Sequence, residues 1–153
     1  MGNDRFVYVI YIRSTRERVW DALIKPEFTR QYWAGTWQDS DWRVGSDWKI
    51  MVPDGRVADT GKVLEFDPPK RLSVSWQNHL SSEMEAEGHS RATFELDSQG
   101  SMVKVTVTHE IDRPDSKLIK AVSGGWPAIL SSLKSLLETG ESLEETRRWP
   151  KEK

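Results

Sequence analysis

Eight tryptophans and three histidines are the side chains of this 153-residue chain best suited to specific chemistry. An indole offers a flat apolar face and a single N–H donor, so it serves both core packing and contact with flat ligands. Imidazole alone has an ordinary pKa close to neutrality. His109 shares parity with Val103, Val105 and Val107 and is expected to point inward, where it could hydrogen-bond a ligand or carry a proton. A satisfied histidine at the core edge is the competing reading. His79 falls on the opposite parity from Trp76, and His89 from Phe94, so both are expected to face solvent. Three scattered histidines without nearby carboxylates make a poor metal site, and no metal is assigned. No cofactor is assigned either, since neither G-x-G-x-x-G nor a Walker A loop occurs. G-x-S-x-G and cysteine are also missing, which removes the usual nucleophiles. Glu83, Glu85 and Glu87 read as a solvated acidic loop. Glu65 lies in a strand of ambiguous facing, as a buried acid or a partner of Arg56 or Arg71. No catalytic residue is assigned; His109 and Glu65 are the candidates if the chain is an enzyme.

The tryptophans give a more coherent pattern. Trp48 and Trp76 alternate onto the expected inner face of a sheet, with Val74 and Phe94 beside them. Trp33 and Trp37 bracket the junction where a cavity mouth would lie. Trp126 sits in Gly124-Gly125-Trp126-Pro127, inside a helical stripe that continues through Leu130. Two glycines and a proline in a helix interior cost about 1 kcal/mol per Gly and ~3 for Pro relative to Ala. The stretch is therefore expected to bend and leave room beside the indole. Core packing is the bland alternative for each of these rings. Together Trp33, Trp37, Trp48, Val74, Trp76, Phe94, His109, Trp126 and Leu130 form the candidate ligand-binding set. Trp149 goes to the tail, and Trp42 is left unassigned.

The elements that must position these residues follow from periodicity. Pro114 to Gly140 has the longest helical stripe, through Ile119, Val122, Trp126, Leu130, Leu133 and Leu137. Asp112 is the expected cap, Pro114 the first helical residue and Gly140 the stop. Phe6 to Ile12 reads as a strand. Ser14 and Glu17 form a capping box for a helix carrying Val19, Trp20 and Leu23. Pro26 opens a second helix through Phe28, Tyr32 and Trp33. A short segment follows at Trp37. Strands are expected at Asp47 to Val52, Arg56 to Phe66 (bulged at Gly61), Arg71 to Gln77, His89 to Leu96 and Met102 to Glu110. Asn78 to Gly88 reads as a polar loop. The fold class is α+β: a curved antiparallel sheet wrapped around a long C-terminal helix, with two short helices after the first strand. Residues 1–143 are expected to form one domain and 144–153 a charged tail.

The bulk numbers exclude several classes. Lys and Arg total 22 against 24 acidic residues, a net charge of −2, which argues against a nucleic-acid surface. No apolar run approaches the ~18 residues of a membrane span. The apolar N-terminal stretch lacks a basic start and a cleavage site, so it reads as a strand and not a signal peptide. A cytoplasmic location is expected.

Several stretches, taken in order, resemble one family. They are Val19-Trp20-Asp21-Ala22-Leu23; Tyr32-Trp33; Gly61-Lys62-Val63-Leu64-Glu65-Phe66-Asp67-Pro68-Pro69-Lys70-Arg71-Leu72 with Trp76; Val105-Thr106-Val107-Thr108-His109-Glu110; and Gly125-Trp126 with Leu130, Leu133 and Leu137-Glu138. The chain is similar to the START-like, helix-grip (SRPBCC) superfamily, and within it to the domain related to the activator of Hsp90 ATPase homologue 1 (AHSA1-like). The resemblance implies a cavity between the concave face of the sheet and the long helix, holding a hydrophobic or aromatic small molecule. It does not reach the separate chaperone-binding region of the eukaryotic activators, because only a few residues precede the first strand.

Three functions follow as expectations. The first is non-catalytic binding of a hydrophobic, aromatic small molecule in that cavity. The second is a cyclase- or hydrolase-like reaction in the same space, with His109 or Glu65 as acid–base group. The third is a chaperone-partner or stress-response role. The chain is expected to be a monomer or homodimer.

Overall fold

The computed structural model describes residues 3–148. In chain order the elements are β1 (Asp4–Ile12), α1 (Arg16–Ile24), α2 (Pro26–Tyr32), β2 (Trp37–Ser40), β3 (Asp47–Met51), β4 (Val57–Asp67), β5 (Arg71–Asn78), α3 (Ser82–Glu85), β6 (Ser90–Gln99), β7 (Met102–Ile111) and α4 (Lys117–Thr139). Seven strands make one curved antiparallel sheet in the order β1-β7-β6-β5-β4-β3-β2, as the α+β reading expects. Alternation decides which face is dry. In β7, Val103, Val105, Val107 and His109 are buried, while the residues between them are not. Helix α4 covers this dry face with Trp126, Leu130, Leu133 and Leu137. No helix among the described residues is long and apolar enough to cross a membrane.

Local chemistry moves several boundaries from where the sequence puts them. Thr15, not Ser14, caps α1, accepting from the Arg18 N–H at 3.2 Å. That shift makes Arg18 the third helical residue, so Glu17 cannot close a capping box. The Ser14 hydroxyl is left buried without a partner among the described residues. In β4 the register shifts between Val63 and Glu65 and not at Gly61. Gly61 serves a close approach instead: a Cβ there would stand 1.8 Å from the Ser75 carbonyl oxygen.

The long helix also starts later than expected. Its cap is Ser116, not Asp112, and Pro114 lies ahead of the first turn. The expected acidic loop explains why. Residues 82–85 form the short helix α3, capped by Ser81, and the chain after it delivers Glu87 to the start of α4. There the Glu87 carboxylate accepts from Ser116 Oγ (2.6 Å) and from the Lys117 N–H (2.7 Å). Partial burial works against its charge, but these hydrogen bonds outweigh it and hold Glu87 below the usual carboxylate range. Gly140 ends α4 in the left-handed conformation, φ 88°. Beyond it a 3-10 turn, Glu144–Thr146, folds back, and Thr146 C=O accepts from the Ala34 N–H at 2.6 Å. Trp149 and the rest of the expected tail lie outside the described residues.

Glu87→Gln should lower stability by about 1 kcal/mol, the usual worth of a charged cap. Because the folded pKa lies below the unfolded one, this contribution is present above the ordinary glutamate pKa and lost as pH falls below it. Urea unfolding of both proteins at neutral pH and near pH 3 checks this: the gap should be present at the first and shrink at the second.

Candidate functional site

The inner face of the sheet holds a large aromatic cluster. Trp76 of β5 is its centre. Trp48 of β3 lies against it at 4.8 Å between ring centroids, Trp126 of α4 meets it edge-on at 5.7 Å, and Trp33 stacks on it at 6.4 Å. Trp126 is further enclosed by Trp33 at 5.3 Å and by Phe94 of β6 at 5.4 Å. Val74 and Leu130 are fully buried in the same core. Trp37 stands apart, half-buried at the start of β2 with the Arg30 guanidinium 4.4 Å over its ring. Trp42 stacks on Phe66, which meets Trp20 edge-on, in a second group.

A dry indole N–H needs an acceptor, and the chain supplies a polar residue for three of them. Trp48 Nε1 donates to Gln38 Oε1 at 2.8 Å, and the Gln38 amide in turn donates to the Leu23 carbonyl of α1. Trp76 Nε1 donates to Asp59 Oδ1 at 2.8 Å, where Asn78 also donates. Trp126 Nε1 donates to His109 Nδ1 at 3.1 Å. The tautomer follows from this partner. Since Nδ1 accepts, Nε2 carries the proton and donates to Ser90 Oγ at 2.8 Å, and Ser90 passes its own proton to the Trp76 carbonyl at 2.9 Å. Burial drives His109 down to about 3, so it is neutral at any ordinary pH. Burial drives Asp59 the other way, up to about 6, against the hydrogen bonds from Trp76 and Asn78.

Gln38, Asp59 and Ser90 were not singled out from the sequence. Their signal was available in part: Asp59 shares parity with the buried Val63, and Ser90 with Ala92 and Phe94. A polar residue at an inward position of a strand asks for a partner.

The space expected beside Trp126 takes another form. Helix α4 is continuous through Gly124-Gly125-Trp126-Pro127. A Cβ on Gly124 or Gly125 would meet nothing within 4 Å, so the glycines make no room under the indole. The space beside Trp126 is filled by Trp33, Trp76, Phe94 and His109. Clefts are present elsewhere among the described residues. One of about 660 Å³ runs along the β2–β3 turn past Asp39, Arg43, Asp47 and Lys62, and one of about 300 Å³ lies by Arg30 and Arg147. Glu65 faces outward, bound by Arg71 at 2.8 Å and by Arg91. The Arg71 hydrogen bond, with the two guanidinium charges behind it, holds Glu65 below the usual carboxylate range. His79 sits between Thr60 and Glu85 at the surface.

A curved antiparallel sheet closed by a long C-terminal helix around an aromatic interior defines a helix-grip protein. The chain belongs to the activator of Hsp90 ATPase homologue 1-like family, whose profile matches residues 13–138. Among solved structures it is similar to a protein of Mesorhizobium loti, at 25% identity over 88% of this chain and 97% of that one, TM-score 0.75. It is also similar to the Aha1 dimer of Colwellia psychrerythraea, at 21% identity over 93% and 100% of the two chains, TM-score 0.73. A third likeness is to DynU16, a protein of the dynemicin biosynthetic locus, at 17% identity over 95% of this chain and 50% of that one, TM-score 0.73. The last two speak for the fold alone. No curated protein matches the chain significantly.

His109 and Asp59, both buried, make opposite contributions to acid stability. His109 has a folded pKa below its unfolded value, so its share is full above about 6.5 and lost as pH falls toward 3. Asp59 has a folded pKa above its unfolded value, so the fold gains from it as pH falls from about 6 to 3.8. The two offset each other across that window. Asp59→Asn should therefore be more stable than wild type at pH 7. It should then lose about 1.4 kcal/mol per pH unit between roughly pH 6 and 4, where wild type stays nearly flat. Chemical denaturation across that range reads both slopes.

Proposed function

We propose that this protein binds a flat, apolar small molecule between the sheet and α4, and that the molecule enters in exchange for the Trp33 ring. One observation carries the reading: Trp33 is the member of the cluster that can leave. Trp48, Trp76 and Trp126 are each tied by an indole hydrogen bond. Among the described residues the Trp33 indole N–H has no such partner, and its ring packs in the core against Trp76, Trp126 and Tyr32. It caps α2 at the head of a loop with positive φ at Ala34 (53°) and Gly35 (74°). Moving it uncovers a wall made of Trp76 and Trp126 without breaking a buried polar contact. The inner indoles have spent their donors, so the ligand is selected by apolar contact and ring stacking. Catalysis is not part of the proposal. Both His109 nitrogens are already engaged, and Glu65 is on the other face.

Titration with flat polycyclic aromatics of the flavonoid or polyketide type should quench tryptophan fluorescence and raise the melting temperature. Trp33→Ala should bind the same compound more tightly, because no ring has to be displaced. A wild type that shows neither quenching nor stabilisation across such a set, together with a silent Trp33→Ala, would falsify the proposal. Weaker binding by Trp33→Ala would make Trp33 a fixed wall and remove the exchange step.

A further inference from the structure

We infer that Thr60, His79 and Glu85 form an acyl-transfer triad on the wet face of the sheet, one that hydrolyses short-chain carboxylic esters. His79 and His109 each share a hydrogen bond with a hydroxyl, and the direction of the proton separates them. His109 accepts from Trp126 on Nδ1 and donates from Nε2 to Ser90, so it has no lone pair with which to take the Ser90 proton. His79 is arranged the other way. Its Nδ1 lies 2.6 Å from Glu85 Oε2, and a carboxylate only accepts, so Nδ1 carries the proton. Nε2 then holds the lone pair and accepts from Thr60 Oγ1 at 2.6 Å. A hydroxyl that donates to an imidazole, whose far nitrogen donates to a carboxylate, is the arrangement that makes an alcohol a nucleophile.

Neighbouring elements hold the triad in place. The His79 N–H donates to the Ala58 carbonyl at 2.8 Å, which sets the end of β5 against β4. Gln77 Nε2 donates to the Glu85 carbonyl at 2.9 Å and ties α3 to β5. Thr60 opens onto a cleft of about 390 Å³, lined also by Asp47, Gly61, Lys62, Ser75 and His89. Gly61 admits Ser75 to it, since a Cβ there would stand 2.8 Å from Ser75 Oγ. Ser75 Oγ accepts from the Lys62 N–H at 2.8 Å, and its own proton has no acceptor among the described residues. Lys62 gives one ammonium proton to Asp47 and keeps two. The cleft therefore sets a free hydroxyl donor and an ammonium beside the nucleophile, where negative charge develops in acyl transfer.

Thr60 Oγ1 bonds to the ester carbonyl carbon while His79 Nε2 takes its proton, and the carbonyl electron pair moves onto oxygen beside Ser75 and Lys62. Collapse of that adduct breaks the ester C–O bond, and His79 returns the proton to the departing alcohol. Water repeats the sequence on the acyl-threonine, which releases the carboxylic acid and restores Thr60. Thr60 and His79 are the catalytic residues, and Glu85 positions the imidazole. The site lies on the opposite face of the sheet from the tryptophan cluster and does not rest on ligand exchange at Trp33.

An alkyl fluorophosphonate, whose P–F bond an activated hydroxyl displaces, should leave one adduct on the full chain. Peptide mass spectrometry should place it on Thr60. Wild type should also turn over p-nitrophenyl acetate. Thr60→Val keeps the β-branched shape and should lose both the adduct and the turnover. His79→Gln should slow labelling by about 100-fold, the lower range for removing a general base. Glu85→Gln should slow labelling as well, and nitrogen NMR should show the His79 proton passing from Nδ1 alone to a mixture of both nitrogens. A loss of packing would not produce that tautomer change. A wild type that takes no adduct, an adduct on any residue other than Thr60, or no turnover of the ester overturns the inference. So does a His79→Gln variant labelled as fast as wild type, or a wild-type His79 protonated on Nε2 alone. The wild-type readouts decide the question even where a variant unfolds.

Discussion

Three tryptophans on the dry side of this sheet each have to place an N–H where water cannot reach. An unmet donor in such a place costs about 1–3 kcal/mol, a large share of the margin of a small domain. The acceptors come from other elements in each case. Trp48 of β3 reaches Gln38 of β2, which reaches Leu23 of α1. Trp76 of β5 reaches Asp59 of β4, and Trp126 of α4 reaches His109 of β7, which is closed by Ser90 of β6. All the strands but β1, together with the first and last helices, are joined by meeting this one requirement. The hydrophobic effect would accept many arrangements of these rings, but the donors restrict it to one in which each acceptor is in line.

The same requirement sets what the interior can do. A histidine that must accept from an indole on one nitrogen and donate to a hydroxyl on the other has no free position with which to take a substrate proton. Its pKa of about 3 is the electrostatic face of the same confinement. Neutral His109 and the buried carboxylate of Asp59 are held by their roles as acceptors, and their opposite pKa shifts let the fold tolerate both over a common pH window. An interior so occupied admits a guest only by exchange, and exchange is easiest where a ring lacks a polar tie. The proposed ligand binding therefore rests on displacement of one ring, that of Trp33.

Most of the architecture was legible because its causes are local. Two-residue alternation placed Trp48, Trp76, Phe94 and His109 on the inner face, and three-and-four spacing found α4 with its Gly140 stop. Trp37 was placed with Trp33 at the expected cavity mouth, yet it stands apart under Arg30, because a four-residue strand gives too short a pattern to fix its facing. The cap of α4 was missed for a different reason. Its carboxylate, Glu87, stands 29 residues from Ser116 in sequence, in a stretch whose composition alone says solvated loop. The acceptors Gln38, Asp59 and Ser90 were likewise invisible to periodicity, which reports burial and not partnership.

The absence of empty space beside Trp126 follows from a related limit. Gly-Gly-Trp-Pro was read as a bend because glycine and proline weaken a helix, and that energetic statement holds. It does not follow that the helix yields. Helix α4 is fixed at its start by Ser116 and Glu87, at its end by Gly140, and along β1 by Lys134 and Glu138. Tertiary contacts of this kind outweigh a local penalty of a few kcal/mol. The two glycines meet nothing on their own side, so the helix runs on through the weak stretch held from its ends, with Trp126 pressed into the rings below it. A helix clamped in this way transmits little of a movement at its centre to its termini. The loop after α2 is held by the Ala34–Thr146 hydrogen bond, by Thr36 donating its N–H and its hydroxyl to the Trp33 carbonyl, and by packing against Pro53, and none of these bonds ties the Trp33 ring. The proposed opening is therefore a movement of the Trp33 ring and not of Gly124 and Gly125.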